Sequence, residues 1–351
     1  MAINKFVVSR DDSIYEAWPD VVQTDSGNLI CVFSECEHHL DRENARIMIT
    51  KSFDRGRTWS KKLPLTEKGT RNNYFNCARI SKLSDGRLAI ICDRLLGFDD
   101  TKTANTYIWY GDKEGENWSE PVILPFSGIV PDKLLQLKNG RIIISNHCKN
   151  EKNNKLEQHL WYSDDDGKSW SERVTVAADD RYNLCEASIL ECDNNMLVAF
   201  LRENSFNGYD LLKVISYDNG ETWSQVFNTP IDCGHRPTSG FLKDGTVMVT
   251  CRYIPAWTQN VFAAFLKKEE LTESERRNQR VRIMPLDYDR NVEPDLGYTG
   301  WTQFDDGEIY VVNYIKDDAK KAYIRGYSFY PDDVVLKSDE DDKNKYFGRD
   351  V

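Results

Sequence analysis

Several things are scarce in this chain, and each scarcity narrows what it can be. No apolar run approaches the ~20 residues of a helical membrane span, so no membrane partner is expected. Positive charge is in deficit: 46 Lys and Arg face 57 Asp and Glu, a net charge of −11, which argues against nucleic acid as the main partner. The 9 cysteines are scattered and never spaced C-x-x-C, which suits buried free thiols in a reducing compartment better than a disulfide framework or a zinc site. His, Asp and Glu show no ligand spacing either, and no metal or other cofactor is expected. Met1 is not followed by a signal-peptide core or cleavage site, so the chain reads as cytoplasmic, although one with its leader removed would read the same. Proline is only 11 of 351 residues, and a composition of 40% hydrophobic and 12% aromatic residues is globular, with a core to bury.

What is abundant is repetition. Ser216, Asp218, Gly220, Thr222 and Trp223 spell S-x-D-x-G-x-T-W, and Ser52, Asp54, Gly56, Thr58 and Trp59 repeat it. Residues 163–170 are a third copy, with Asp166 assigned as the turn aspartate and Trp170 closing it; residues 111–118 are a worn fourth. The Asp accepts backbone N–H bonds in a tight turn, Gly supplies positive φ, and the Trp folds back as an apolar plug. Such an Asp-box staples two strands together.

A second repeat lies upstream of each staple. Residues 18–27, 77–86, 131–140, 186–195, 236–245 and 298–307 each end in Asp-Gly, Asn-Gly, Ser-Gly or Asn-Asn, and each is followed by a β-rich run. Those runs, 29–33, 88–92, 142–145, 197–201, 247–251 and 309–312, make six hairpins. Third strands follow at 45–50, 107–110, 159–163, 211–216, 261–266 and 322–328. Six four-stranded units without intervening amphipathic helices predict an all-β fold, a six-bladed β-propeller in one domain over 1–351. Residues 6–9 lack a hairpin of their own and are expected to complete the last blade beside 322–330, closing the ring. The charged segment 267–282 replaces the staple in blade five, as a short surface helix, and the run after Leu336 is a solvated tail.

Propeller chemistry gathers where the first strands begin. Nine positions before each hairpin turn stand Trp18, Cys77, Pro131, Glu186, Arg236 and Tyr298; seven before stand Asp20, Arg79, Lys133, Ser188, Thr238 and Gly300. The far ends of the hairpins add Arg94, His147, Arg202 and Arg252. So many cations around one funnel, on an acidic protein, point to an anionic or polyhydroxylated ligand held by Arg forks.

The chain resembles the sialidase (neuraminidase) superfamily over nearly its whole length. The segments around Glu186 and Arg202 are similar to those that carry a catalytic Glu and one Arg of the carboxylate-binding triad, and residues 296–300 resemble the segment with the nucleophilic Tyr, here Tyr298. The resemblance implies an exo-acting glycoside hydrolase releasing a terminal sialic acid or related acidic sugar. A phenol of pKa ~10 needs a carboxylate to take its proton, the role implied for Glu186. An Asp in the loop between the second and third strands of blade one is implied as acid/base: Asp41, with Glu37, His38, His39 and Glu43 in reserve. Arg202 is implied to bind substrate, joined by Arg236 or Arg252 as third Arg, with Asp20 and Arg79 also in the funnel.

One departure is plain. Where the family opens blade one with Arg-Ile-Pro, this chain has Ala17, Trp18 and Pro19. Losing one fork of a buried clamp costs a carboxylate ligand roughly 2–5 kcal/mol. The alternatives are therefore a non-catalytic carbohydrate-binding propeller, or a glycosidase or lyase for a uronic acid or neutral deoxysugar with His147 and His235 as acid/base groups. A carbohydrate is the partner in every case, and the oligomeric state stays open.

Overall fold

The computed structural model describes residues 3–97 and 103–334. The tail expected after Leu336 lies outside the described residues. The chain forms β1 (Asn4–Ser9) and then blade one: β2 (Tyr15–Gln23), β3 (Leu29–Cys36), β4 (Arg46–Ser52) and β5 (Leu63–Pro64). Blade two is β6 (Asn73–Lys82), β7 (Leu88–Leu96), β8 (Asn105–Gly111) and β9 (Val122–Ser127). Blade three is β10 (Leu135–Gln136), β11 (Ile142–Lys149), β12 (Leu156–Ser163) and β13 (Val174–Ala177). Blade four is β14 (Leu184–Glu191), β15 (Leu197–Glu203), β16 (Leu212–Ser216) and β17 (Phe227–Asn228). Blade five is β18 (Gly234–Phe241), β19 (Val247–Tyr253), β20 (Asn260–Leu266) and β21 (Val281–Tyr288). β22 (Leu296–Gln303), β23 (Ile309–Ile315) and β24 (Tyr323–Phe329) begin blade six, before the short α1 (Pro331–Val334).

Every sheet is antiparallel and four-stranded, and the sixth is completed by β1 pairing with β24. The ring therefore closes with strands from both ends of the described chain, as the orphan residues 6–9 predict. Six apolar clusters lie between neighbouring blades: Val32 and Ile47 of blade one meet Ile80 and Ile90 of blade two, and Tyr310 and Val312 of blade six meet Leu29 and Cys31 of blade one. Each blade is apolar on both faces, so it stays covered only with a neighbour on each side.

The staples form as their residue types require. Asp54 Oδ1 accepts the N–H groups of Arg57 (3.1 Å) and Thr58 (2.8 Å), while Trp59 Nε1 donates to the Gly56 carbonyl (3.1 Å). The worn copy makes the same turn around Asp112, with Trp118 Nε1 donating to Gly115 O. One assignment needs correcting. In the third copy the turn aspartate is Asp165, which accepts from Ser169, and Asp166 takes the left-handed position before Gly167 (φ 61°). The spacing from Ser163 decides this, because only a carboxylate two residues on reaches the closing N–H groups. In blade five, residues 267–282 form two 3₁₀ turns, Lys268–Leu271 and Arg276–Asn278, in place of one helix. All nine cysteines are free, eight of them buried.

Candidate functional site

The inner strand of each blade is bent at one place, and that bend builds the site. Trp18, Cys77, Glu186, Arg236 and Tyr298 all have φ between +48° and +55°. Each sits in a β-bulge: Ala17 pairs with Ser34, yet Asp20 pairs with Val32, leaving one extra residue on the inner strand. The same slip occurs at Asn76/Arg79, Cys185/Ser188, His235/Thr238 and Gly297/Gly300. Left-handed non-glycine residues cost on the order of 1–3 kcal/mol each and cluster at functional sites, where a bulge re-aims a side chain. Blade three is offset: Val130, not Pro131, takes the left-handed conformation (φ 50°), and the inner strand shortens to Leu135–Gln136, with Ile129 bridging His147 before it.

The residue before each bulge faces a partner on the second strand, and these partners form a second ring: Ser34, Asp93, His147, Arg202, Arg252 and Tyr314. Arg94, placed in the funnel by sequence counting, is one residue past this ring. It bonds Asn73 Oδ1 (2.8 Å) and stacks on Phe75, while Asp93 is the ring member.

Tyr298 of blade six and Glu186 of blade four meet, the phenol donating a short hydrogen bond to Glu186 Oε1. Arg202 Nη1 donates to the other carboxylate oxygen at 2.8 Å. The guanidiniums of Arg236 and Arg252 lie over the Tyr298 ring, 5.4 and 5.5 Å from its centre. Burial pushes the Glu186 carboxyl up, but Arg202, Arg236 and His147 together hold it well below the usual carboxylate range. Burial and then the Glu186 charge push the Tyr298 hydroxyl well above its ordinary value. In the free protein the proton therefore rests on the phenol. Arg236 reaches across the axis to the Pro131 carbonyl (3.0 Å). Arg202 Nε, Arg236 Nε and Nη1 and Arg252 Nε are buried with no hydrogen-bond acceptor among the described residues. Buried guanidinium donors without acceptors make a receptor for an anion.

His147 and His235 border this cluster. Burial lowers His147 to about 4, and its Nδ1 accepts the Glu186 N–H at 3.4 Å. Burial, with Arg202 and Arg252, lowers His235 to about 2, and its ring packs on Phe206. Asp20 and Arg79 lie deeper. Arg79 donates to Thr299 O and Thr238 Oγ1 (both 3.0 Å), and its Nε is 3.4 Å from Asp20, whose other oxygen meets Lys133 Nζ at 2.9 Å. These groups knot blades one, two, three, five and six together below the site. Beyond the knot, toward the hairpin turns, is a separate cavity of about 380 Å³ lined by Lys133, Ser188, Ser239 and Trp301 among others. Asp41 sits in the loop between β3 and β4, its carboxylate gripped by both Nε (2.9 Å) and Nη2 (2.8 Å) of Arg71, which holds its pKa below the ordinary value. Among the described residues its hydrogen bonds go to Arg71, Glu43 and its own turn, not to Tyr298 or Glu186. Among the described residues no group of three or more His, Cys, Asp or Glu has metal-binding geometry, and no helix is long and apolar enough to cross a membrane.

Sequence counting missed Asp93, Tyr314 and Asp295. Asp93 and Tyr314 stand seven residues after Gly86 and Gly307, the spacing that places His147, Arg202 and Arg252, and were passed over because cations were followed instead of position; Asp295 lies in a loop whose path no period describes.

Residues 85–253 match the BNR repeat-like domain family. Among curated proteins the chain is 24% identical to a sialidase of Clostridium perfringens, over 52% of this chain and 56% of that protein, and 25% identical to a sialidase of Bacteroides fragilis, over 54% and 36%. It thus spans about half the length of the curated relatives it matches or less. Among solved structures, a protein of unknown function from Dyadobacter fermentans superposes with TM-score 0.77 at 22% identity, covering 92% of this chain and 97% of that one. The intramolecular trans-sialidase from Ruminococcus gnavus superposes with TM-score 0.69 at 16% identity, covering 92% and 96%. Identities this low speak for the fold. The match over residues 85–253 falls within a ring of six four-stranded blades, and the described chain is a six-bladed β-propeller with the fold of these solved structures.

Proposed function

We propose that this propeller is an exo-acting glycoside hydrolase that releases a terminal sialic acid or related acidic sugar. The observation that carries the reading is the chain of contacts from Tyr298 Oη through the Glu186 carboxylate to Arg202. A carboxylate paired with a phenol can draw off the proton as the phenol attacks, and a phenol suits an anomeric carbon that already bears a carboxylate. The strongly acidic Glu186 is a poor base while three cationic or polar neighbours face it alone. A substrate carboxylate satisfying the open donors of Arg202 and Arg236 would share their charge, raise the basicity of Glu186 and so tie proton removal to ligand arrival. Attack by Tyr298 Oη then forms the glycosyl–tyrosine bond as the glycosidic C–O bond breaks; water later cleaves that intermediate and the proton returns from Glu186 to Tyr298. His147 and His235, lowered by burial to about 4 and about 2, are neutral at pH 7 in the free protein.

Ala17, fully buried in blade one, favours a second reading, a propeller that binds an acidic sugar without cleaving it. Tyr298→Phe separates the two when assayed on aryl sialosides and aryl uronides with sugar binding measured in parallel. The hydrolase loses roughly a thousandfold or more in kcat/KM and keeps binding. An inert wild type whose melting temperature still rises with these sugars would establish the binding module instead.

A further inference from the structure

A second proton-handling unit stands at the mouth of the funnel, between blades one and six. His39, in the loop between β3 and β4, places Nδ1 at 3.0 Å from Asp295 Oδ2 and 3.2 Å from Oδ1. The same carboxylate accepts the hydroxyl of Tyr15 at 2.6 Å and that of Tyr314 at 3.1 Å, and the backbone N–H of Asp295 is tied to Asp289. Asp295 is therefore held on all sides by donors. Burial raises its pKa, but the hydrogen bonds from His39 and Tyr15 and the charge of Arg252 bring it below the ordinary value. An ionised carboxylate at Nδ1 fixes the imidazole with its proton on that nitrogen and leaves Nε2 for other work. Nε2 makes no hydrogen bond to the described residues, and the side chain is one-third exposed.

The imidazole also lies against the site. Its ring meets Trp18 edge-on at 5.4 Å, and Trp18 opens blade one at the position where Tyr298 opens blade six. Tyr314 packs against both, with ring centres 6.1 Å from Trp18 and 6.4 Å from Tyr298. Asp41, on the same loop, spends its carboxylate on Arg71.

We propose that His39, oriented by Asp295, is the acid–base catalyst of the hydrolysis assigned above to Tyr298 and Glu186, a role that rests on that reading. In the first step the protonated Nε2 gives its proton to the leaving oxygen as the glycosidic C–O bond breaks, while the Tyr298 proton passes to Glu186. In the second, neutral Nε2 takes a proton from the attacking water, and Tyr298 leaves as a phenol with the proton from Glu186. Asp295 is a positioning residue, because it acts only through the imidazole. Tyr15 and Tyr314 keep its carboxylate in place.

The test compares two glycosides of one sugar, with a nitrophenolate and with an alkoxide of a second sugar as leaving groups. His39→Ala and His39→Gln are each expected to lose on the order of a hundredfold to ten-thousandfold in kcat/KM on the alkoxide substrate and far less on the nitrophenyl one. Added azide, which attacks without giving up a proton, restores turnover of the nitrophenyl glycoside and yields the glycosyl azide. Asp295→Asn shows the same leaving-group dependence, more weakly and with KM unchanged. Equal losses on both substrates, or the leaving-group dependence appearing in Asp41→Asn instead, overturn the role of His39 alone. A wild type that cleaves neither glycoside overturns it together with the hydrolase reading.

Discussion

At the scale of single residues, burial sets most of the chemistry. His159 is fully enclosed in blade three, and burial lowers its pKa to about 4. Its unfolded value is near 6.5, so the unfolded chain takes a proton that the folded one refuses. That contribution to stability is intact above about pH 6.5, shrinks as pH falls, and is about 2 kcal/mol smaller by about pH 5. Asp93 runs the other way: burial raises it to about 7, and its contribution is lost as pH climbs from about 4 to that value. The net curve mixes both signs, so the clean measurement is a difference. His159→Gln is expected to lose less of its melting temperature than the wild type between about pH 7.5 and 5; parallel curves would refute the assignment. Tyr298, Glu186 and Arg202 were legible as residue types at counted positions before the strand ends. Asp93 keeps the same spacing from its turn as Arg202 and was passed over for the cation beside it, Arg94, whereas Asp295 was not legible because a loop path leaves no periodic trace.

At the scale of elements, the staples and hairpin turns test how close packing differs from turn geometry. Gly56 has φ +83°, and a Cβ there would lie 2.1 Å from Tyr310 Cε2, a ring whose hydroxyl donates to the Gly56 carbonyl. Gly140 has nearly the same conformation, φ +93°, with nothing within 4 Å. Gly140→Ala is expected to cost about 1 kcal/mol, for the left-handed backbone alone. Gly56→Ala adds the displacement of a buried aromatic ring and is expected to cost about 3 kcal/mol or more. Denaturant midpoints of the two variants check this, and equal shifts would mean that the Tyr310 contact carries no weight. Both glycines could be read from spacing as turn residues. Only packing between blades separates them, because Tyr310 belongs to blade six and Gly56 to blade one. Asp165 teaches a related lesson: four acidic or turn-forming residues in a row invite misassignment by one, and the hydrogen-bond reach from Ser163 settles which one closes the turn.

At the scale of the whole molecule, closure rests on β1. Its pairing with β24, the Lys5–Asp287 ion pair at 2.6 Å and the Ser9–Glu16 hydrogen bond at 2.7 Å tie the last blade to its neighbours on either side. Deleting residues 3–9 exposes the β24 edge and is expected to lower the melting temperature and promote association through that edge; an unchanged melting temperature and monodisperse elution would show that the ring closes without it. Alternation around Asp-Gly and Asn-Gly turns, repeated six times, was enough by itself to determine hairpins, blade number and the need to close, since these depend on local turn chemistry and on two apolar faces per blade. Which side chains meet was decided by the tertiary structure. Residues 112 positions apart, Tyr298 and Glu186, come together only because the ring brings six strand ends to one axis and a left-handed bulge turns each of them inward.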